Sequence, residues 1–405
     1  MVFVGIDWSE KQHDVELQSE SGKRLRSMRI KHGVEGLAQL QASIAEFTDE
    51  PDQVTVAVES SHGLLVQALV ASGYVVYDIN PLAAARYRER HSLAGAKSDP
   101  RDAEMLANLV RTDRHKFRPL AGDSERALEI RARARAHLRA SRDQVRLRNQ
   151  LRSLLLEYYP AVASLLTEDD LQDALAILSI APRPELGRRL SLSKLESTLR
   201  RFGRQREVAQ RAARLQQRLR ESQLELGLPL VVGALSDEAS SISRRLLQLQ
   251  EEIAHLEEQL AEAFRLHPDA EIYLSFAGLA DVLGARVLGE SGDDPARYAN
   301  ARSRRNYAGS SPVTKASGHH REVKRRVARN RRLADATFLW GERAIQNSPG
   351  ARAYFDELIA TGHGPNEAIR ATANKLIGML HACLRDHRPY DELKAWGSRQ
   401  VKTAA

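Results

Sequence analysis

One cysteine, Cys383, is all that the 405 residues carry. A lone thiol excludes an internal disulfide and a cysteine-rich zinc site, and it makes a reducing cytoplasm the natural compartment. No apolar run approaches the roughly 20 residues that a membrane span needs. The N-terminus also lacks a basic start followed by a long apolar stretch. A soluble, unprocessed chain with no membrane partner is therefore expected. Long-period repeats and low-complexity linkers are missing as well.

What is present is a globular composition, 42% apolar, with a basic excess: a formal charge of +8 and a pI near 9.6. Such a balance favours phosphate-bearing partners or an anionic surface, although charge alone does not choose between them and neither. The length suits two or three domains, each with its own core.

The first part, residues 1–118, mixes strands and helices. VFVGIDWS, HDVELQSE and RLRSMRIK read as three short strands, followed by a helix at VEGLAQLQASIAEF and a strand at QVTVAVES. A helix at LLVQALVAS and a strand at YVVYDINP, stopped by Pro81, close the series. Three strands followed by alternating helix and strand is the order of an α/β RNase H-like domain, whereas a parallel nucleotide-binding sheet alternates from the start. Over residues 119–268 strand signals vanish. Ile242, Leu246, Leu249, Ile253, Leu256 and Leu260 recur at alternating spacings of four and three, a heptad seam that predicts paired helices. A coiled-coil arm and a bundle packed within one subunit both satisfy it. Residues 269–397 predict a mainly α-helical domain with a basic loop between Pro312 and Arg332, and 398–405 a frayed tail.

Four acids stand where such a fold concentrates chemistry. Asp7 ends the first strand and Glu59 the fourth, and these strands are neighbours in an RNase H-like sheet. Asp99 and Asp102 open a helix around Pro100 and share a face. Mg²⁺ takes oxygen ligands from few carboxylates plus substrate phosphates, and two such ions can stabilise both the attacking and the leaving oxygen of a phosphoryl displacement. Crowded carboxylates need that counter-charge, since otherwise some would neutralise. Singly, each acid also has a plain explanation: a strand-end cap, a surface charge, or a helix N-terminal pair favoured by the dipole. Glu10 and Glu104 are nearby substitutes that fit less well. Actin-like sugar kinases share the Ile-Asp start but follow it with a glycine-rich phosphate loop, where this chain has Trp8 and Ser9.

The basic loop carries Lys315, Arg321, Lys324, Arg325, Arg326, Arg329, Arg331 and Arg332, eight cations in 18 residues against the single acid Glu322. Phosphate binding with strong salt dependence follows. Ser317 lies in this field, before Gly318, which lets backbone approach a ligand closely. A serine becomes a phosphoryl nucleophile when cations stabilise the phosphate charge and a base or metal takes its proton. An ordinary turn is the competing account. Ser310 and Ser311 compete as nucleophiles, and His319 and His320 are available for proton transfer. Upstream, SFAGLADVLGARVLGES has the outline of a helix-hairpin-helix or of a packed helical hairpin.

Taken in order, GIDWSEKQHDV, AVESSHG, KSDPRDAEMLA, SFAGL, NYAGSSPVTKASG, NRRLADATFLW, SPGARAYFDELIATG, IRATANKLIGMLHACLR and YDELKAW resemble transposases of the insertion-sequence family numbered one hundred and ten, its actinobacterial branch above all. The resemblance spans nearly the whole chain. It implies a RuvC-like domain whose metal-binding tetrad, here Asp7, Glu59, Asp99 and Asp102, holds Mg²⁺, with Mn²⁺ as a substitute. It also implies a coiled-coil middle and a C-terminal transposase domain whose nucleophile is Ser317. In that family the serine forms a covalent link to a DNA phosphate, and carboxylates of a partner subunit complete the site. A structured bridge RNA from the element pairs with donor and target double-stranded DNA, and the protein works as a homo-oligomer, a tetramer built from dimers. A cytoplasmic, nucleoid-associated protein of a bacterium follows. Many members continue after the Ser-Gly step with a glycine-containing stretch, where this chain has HHREVKRRVARNRR. A water-using, metal-dependent junction-resolving nuclease and a non-catalytic nucleic-acid-binding scaffold are the alternatives that the residues themselves leave standing.

Overall fold

The computed structural model describes residues 1–59, 63–91, 99–120, 122–167, 170–224, 226–317 and 320–403. They form two compact units, one of residues 1–124 with 292–299, the other of residues 125–291 with 300–405.

The first unit is a five-stranded mixed sheet between two helical layers. Strands β1 (Val2–Asp7), β2 (Gln12–Ser19), β3 (Arg24–Lys31), β4 (Val54–Val58) and β5 (Val75–Asp78) stand in the order β3-β2-β1-β4-β5. β1 runs antiparallel to β2 and parallel to β4, with Ile6 opposite Val58. Period-two alternation sends Val2, Val4 and Ile6 into a core with Leu40 and Ile44 of helix α1 (Val34–Ala45) and Leu65 and Leu69 of α2 (Leu64–Ala71). Phe3 points the other way, into a core with Tyr87 of α3 (Pro81–His91) and Leu106, Leu109 and Val110 of α4 (Asp99–Asp113). The five strands and first two helices match those expected from the sequence; α3 was not expected. Pro81 does not merely stop a strand but opens this helix, where its missing N–H costs nothing, and Asn80 Oδ1 accepts from the Leu82 N–H at 2.8 Å.

Gly5 fixes how α4 sits on the sheet. A Cβ on it would lie 2.0 Å from the Ala103 carbonyl oxygen and 2.4 Å from the Ala107 nitrogen. Only a bare backbone lets helix and strand approach this closely.

The second unit is built on two long helices, α5 (Glu125–Tyr158) and α11 (Pro229–Arg265). Between them come α6 (Pro160–Ala163), α7 (Leu171–Ile180), α8 (Pro184–Arg188), α9 (Leu192–Arg201) and α10 (Val208–Arg220). Both ends of the heptad seam pack within the chain: Ile242 and Leu246 are buried in a core with Leu147, Leu151 and Leu155 of α5, and Leu260 in one with Ile130 and Ala134, while Ile253 and Leu256 between them are half-buried. Arg133 meets Gln259 at 2.9 Å and His137 meets Glu257 at 3.1 Å, so α5 and α11 run antiparallel.

A second core continues through α12 (Ala270–Leu274), α13 (Asp281–Ser291), α14 (Ala301–Ala308), α15 (Arg331–Asn347), α16 (Pro349–Ala360), α17 (Pro365–Asp386) and α18 (Glu392–Thr403), around Trp340, Phe276 and Tyr273. The helix-hairpin-helix outline at α12 and α13 is a packed hairpin: a Cβ on Gly278 would lie 2.7 Å from the Ala344 nitrogen of α15, one on Gly284 would strike Phe264, and one on Gly289 would lie 2.9 Å from Arg131. The region expected as a loop between Pro312 and Arg332 contains a β-hairpin, β6 (Val313–Ser317) and β7 (His320–Lys324), with Ser317 opposite His320. Val313, Thr314 and Val323 supply strand propensity that a count of charges alone conceals.

Candidate active site and nucleic-acid interface

Asp7 is the last residue of β1, and Glu59 directly follows β4. Because the parallel register pairs Ile6 with Val58, the two acids are the next residues along at the same end of neighbouring strands. Asp99 and Asp102 lie in the first turn of α4, the helix seated on β1, with Asp99 exposed and Asp102 buried at 4% exposure. Asp102 is held by Arg88 of α3, whose Nε donates to its Oδ1 at 2.9 Å and whose Nη2 lies 2.8 Å from the same oxygen.

Among the described residues, no three His, Cys, Asp or Glu side chains lie close enough to hold a metal ion. The backbone brings the acid-bearing ends together, while the Asp102 side chain is turned to a guanidinium. Residues 92–98, which lead into Asp99, and 60–62, which follow Glu59, lie outside the described residues. The donor set itself, oxygen only and anionic, fits a hard divalent cation.

Other acids on the same sheet face are already neutralised. Asp14, directly opposite Asp7, accepts from Arg29 Nε and Nη2 at 3.1 Å. Buried Glu16 accepts from Arg24 Nε at 2.7 Å, and Arg24 also reaches Glu104 at 3.1 Å. Sequence reasoning passed over Asp14 and Arg88. The alternation of Asp14, Glu16 and Gln18 along β2 was a signal for the first; Arg88 needed the unforeseen α3.

Next to Asp7, Ser9 N–H donates to His13 Nδ1 at 3.3 Å, and His13 Nε2 lies 3.0 Å from His32 Nδ1. The two contacts assign a neutral His13 whose Nε2–H is the donor. Burial lowers the pKa of His13, and His32 lowers it further.

In the second unit, Ser317 is exposed at the end of β6. Gly318 and His319, and the side chains of Lys315, His320 and Arg321, lie outside the described residues. Ser310 and Ser311 Oγ donate to Asn374 Oδ1 of α17 at 2.9 and 3.3 Å, which commits both hydroxyls to the structure. The remaining cations divide by role. Lys324 pairs with Glu322 at 2.9 Å, Arg326 Nε donates to the Ser311 carbonyl at 3.3 Å, and Arg331 and Arg332 are exposed in the first turn of α15. Positive side chains at a helix N-terminus gain nothing from the dipole and leave that end strongly electropositive. Arg325 and Arg329 line a cavity of about 550 Å³ together with Arg142 of α5, Arg286 of α13 and Arg370 of α17. The last three escaped sequence reasoning because they lie far apart in the chain.

Two family models match the chain, one over the acid-bearing sheet and on through α5, the other over the part of the helical unit that carries the basic hairpin. Residues 4–160 match a DEDD-type model described as a transposase, and residues 270–356 match the model of the transposase IS116/IS110/IS902 family. The chain is thus a transposase, an enzyme of DNA recombination. More particularly, it belongs to the IS110 family. It is 42% identical over 400 residues, 98% of this chain and 96% of the relative, to the Streptomyces coelicolor protein named as the mini-circle transposase for IS117. It is 27% identical over 403 residues to an uncharacterized 42 kDa protein of insertion element IS900 from Mycobacterium paratuberculosis, covering 96% of this chain and 97% of that one. To the uncharacterized 43.6 kDa protein of insertion element IS110, also from Streptomyces coelicolor, it is 26% identical over 404 residues, 96% of this chain and 95% of that one. Among the described residues, no helix is long and apolar enough to cross a membrane.

Proposed function

We propose that this transposase cuts and rejoins DNA with Ser317 as nucleophile and with Mg²⁺ held by Asp7, Glu59, Asp99 and Asp102 in an RNase H-like, RuvC-type domain. The observation that carries the proposal is the pairing of β1 with β4 and the seating of α4 on β1, which favour an acidic cluster fed by two strand ends and one helix start. Bound there, a divalent ion would supply positive charge to the phosphate oxygens.

The chain's own residues do the rest. The Ser317 oxygen bonds to the phosphorus of a DNA phosphodiester, the bond from phosphorus to the leaving deoxyribose oxygen breaks, and the serine proton ends on that oxygen. One phosphate ester replaces another, so rejoining needs no outside energy source. Arg331 and Arg332, exposed on α15, hold strand phosphates while this exchange proceeds.

The family resemblance extends the proposal to a structured guide RNA that pairs with donor and target DNA, to a homo-oligomer working as a tetramer built from two dimers, and to a nucleoid-associated place in the bacterial cytoplasm. The test is Ser317→Ala. Its recombination activity and its covalent protein–DNA species should vanish while DNA affinity and folding persist. Normal strand cleavage by this variant would instead assign the chemistry to water. Omission of the element's RNA should abolish recombination; recombination without it removes the guide from the mechanism.

A further inference from the structure

The 550 Å³ cavity of the second unit collects five arginines, Arg142, Arg286, Arg325, Arg329 and Arg370, against one carboxylate, Asp335. Asp335 accepts from Arg142 Nη2 at 3.3 Å, which leaves a surplus of four positive charges. The crowding has a cost in the free protein. Burial, and next the charge of Arg142, lower the pKa of Arg286; burial, and next the charge of Arg325, lower that of Arg329. A fold that drives like charges into one cavity is stabilised by an anion that fills it.

The rest of the lining names the kind of anion. Half-buried Phe338 and exposed Leu339 form part of the wall, and the Ser310 hydroxyl stands at the margin. A volume of this size suits a small molecule and is far too small for a base-paired duplex. An aromatic face beside clustered cations is the combination that single strands use, bases stacking on the ring and phosphates lying on the cations.

We propose that this cavity takes one unpaired nucleotide of a nucleic-acid strand, its phosphate among Arg142, Arg286, Arg329 and Arg370 and its base against Phe338. The inference deepens the proposed function and rests on it for the ligand being a strand. The recognised chemistry, a phosphate with a stacked base, is common to DNA and RNA, and the experiment separates the two.

The full chain and its Arg286→Gln and Phe338→Leu variants are compared in two measurements. The first is thermal unfolding in sodium phosphate against sodium chloride of equal ionic strength. The second is fluorescence anisotropy with a labelled single-stranded DNA, a single-stranded RNA and a duplex DNA. Phosphate should raise the Tm of the unaltered protein. Arg286→Gln should lose that rise without lowering the Tm in chloride, because it relieves like-charge crowding, and should bind a single strand at least tenfold more weakly with little change for duplex. Phe338→Leu should keep the phosphate response and weaken single-strand binding about fivefold or more. The strand type whose binding suffers in both variants is the occupant.

An Arg286→Gln protein that is less stable in chloride with its phosphate response intact, or that loses duplex and single-strand affinity equally, overturns the proposal. Ser317→Ala is predicted to leave every one of these binding readouts unchanged, so failure of the serine mechanism and failure of the cavity are told apart.

Discussion

Arg88 and Asp102 form an ion pair in the N-terminal unit, with the carboxylate buried at 4% exposure and the guanidinium at 2.8 to 2.9 Å. The pair joins α3 to the first turn of α4, where the proposed tetrad has two of its four members, Asp99 and Asp102. A buried carboxylate needs a cation, and arginine is the one this structure supplies.

Arg88→Ala leaves Asp102 without that partner. Since Arg88 itself is partly exposed, the loss should be about 1–3 kcal/mol rather than the larger penalty of a fully buried pair. If Asp102 is a metal ligand, Mg²⁺ should then raise the Tm of Arg88→Ala by more than it raises that of the unaltered protein, because the ion no longer competes with a guanidinium. Magnesium shifting both proteins equally would place the ion away from Asp102.

Gly5 makes a second prediction. The Cβ of Gly5→Ala would meet the Ala103 carbonyl oxygen and the Ala107 nitrogen, both backbone atoms that cannot swing aside. The variant should lose about 3 kcal/mol in urea denaturation, the upper end of what overpacking costs. Gly122→Ala is the control, with nothing within 4 Å of the added carbon. Equal stability of the two variants would contradict the close seating of α4 on β1.

These two sites mark what the sequence could and could not convey. β1 and β4 were legible because VFVGID and VTVAV are short apolar runs rich in β-branched residues and bounded by polar ones, the pattern of strands buried on both faces, and the β1–β4 adjacency of Asp7 and Glu59 followed from the order of the elements. The Arg88 partner was not, since PLAAARYRERH carries little apolar periodicity and Pro81 marks the stop of a strand as readily as the start of a helix. The seam from Ile242 to Leu260 correctly announced paired helices, but a heptad does not encode whether its partner is another chain or α5. In the C-terminal region eight cations were visible as a run, yet the cavity draws Arg142, Arg286 and Arg370 from three separate helices, a convergence that only the tertiary fold creates.

His13 makes stability depend on pH. Its folded pKa lies below the ordinary 6.5, first through burial and then through His32. Below pH 6.5 the unfolded chain therefore binds a proton that the folded chain resists, so stability is fully present above that pH and is lost as pH falls toward the folded value. Protonation of His13 Nδ1 would also remove the acceptor for the Ser9 N–H beside Asp7. The Tm of the unaltered protein should fall between pH 7 and pH 5, and His13→Gln should flatten part of that fall. His381, lowered by burial and then by Arg304, contributes in the same direction and keeps the variant's profile from becoming level. A profile for His13→Gln superimposable on the original would show that His13 takes up its proton equally in the folded and unfolded chains, and would contradict a lowered folded pKa.

Arg331 and Arg332 stand exposed at the start of α15, where the helix dipole opposes their charge. A phosphate bound there meets both guanidinium groups and the electropositive helix end, and each neutralised phosphate releases condensed counterions. Replacing both residues with glutamine should therefore lower the slope of log K against log salt for duplex DNA by about two. Affinity should fall uniformly across DNA sequences, because contacts to phosphate carry no base information. Folding should be unaffected, since surface substitutions away from packing change stability by about 0.5 kcal/mol or less. An unchanged salt slope would move the duplex-binding face off the N-terminus of α15. A sequence-dependent loss would mean that these arginines reach base edges instead of the backbone.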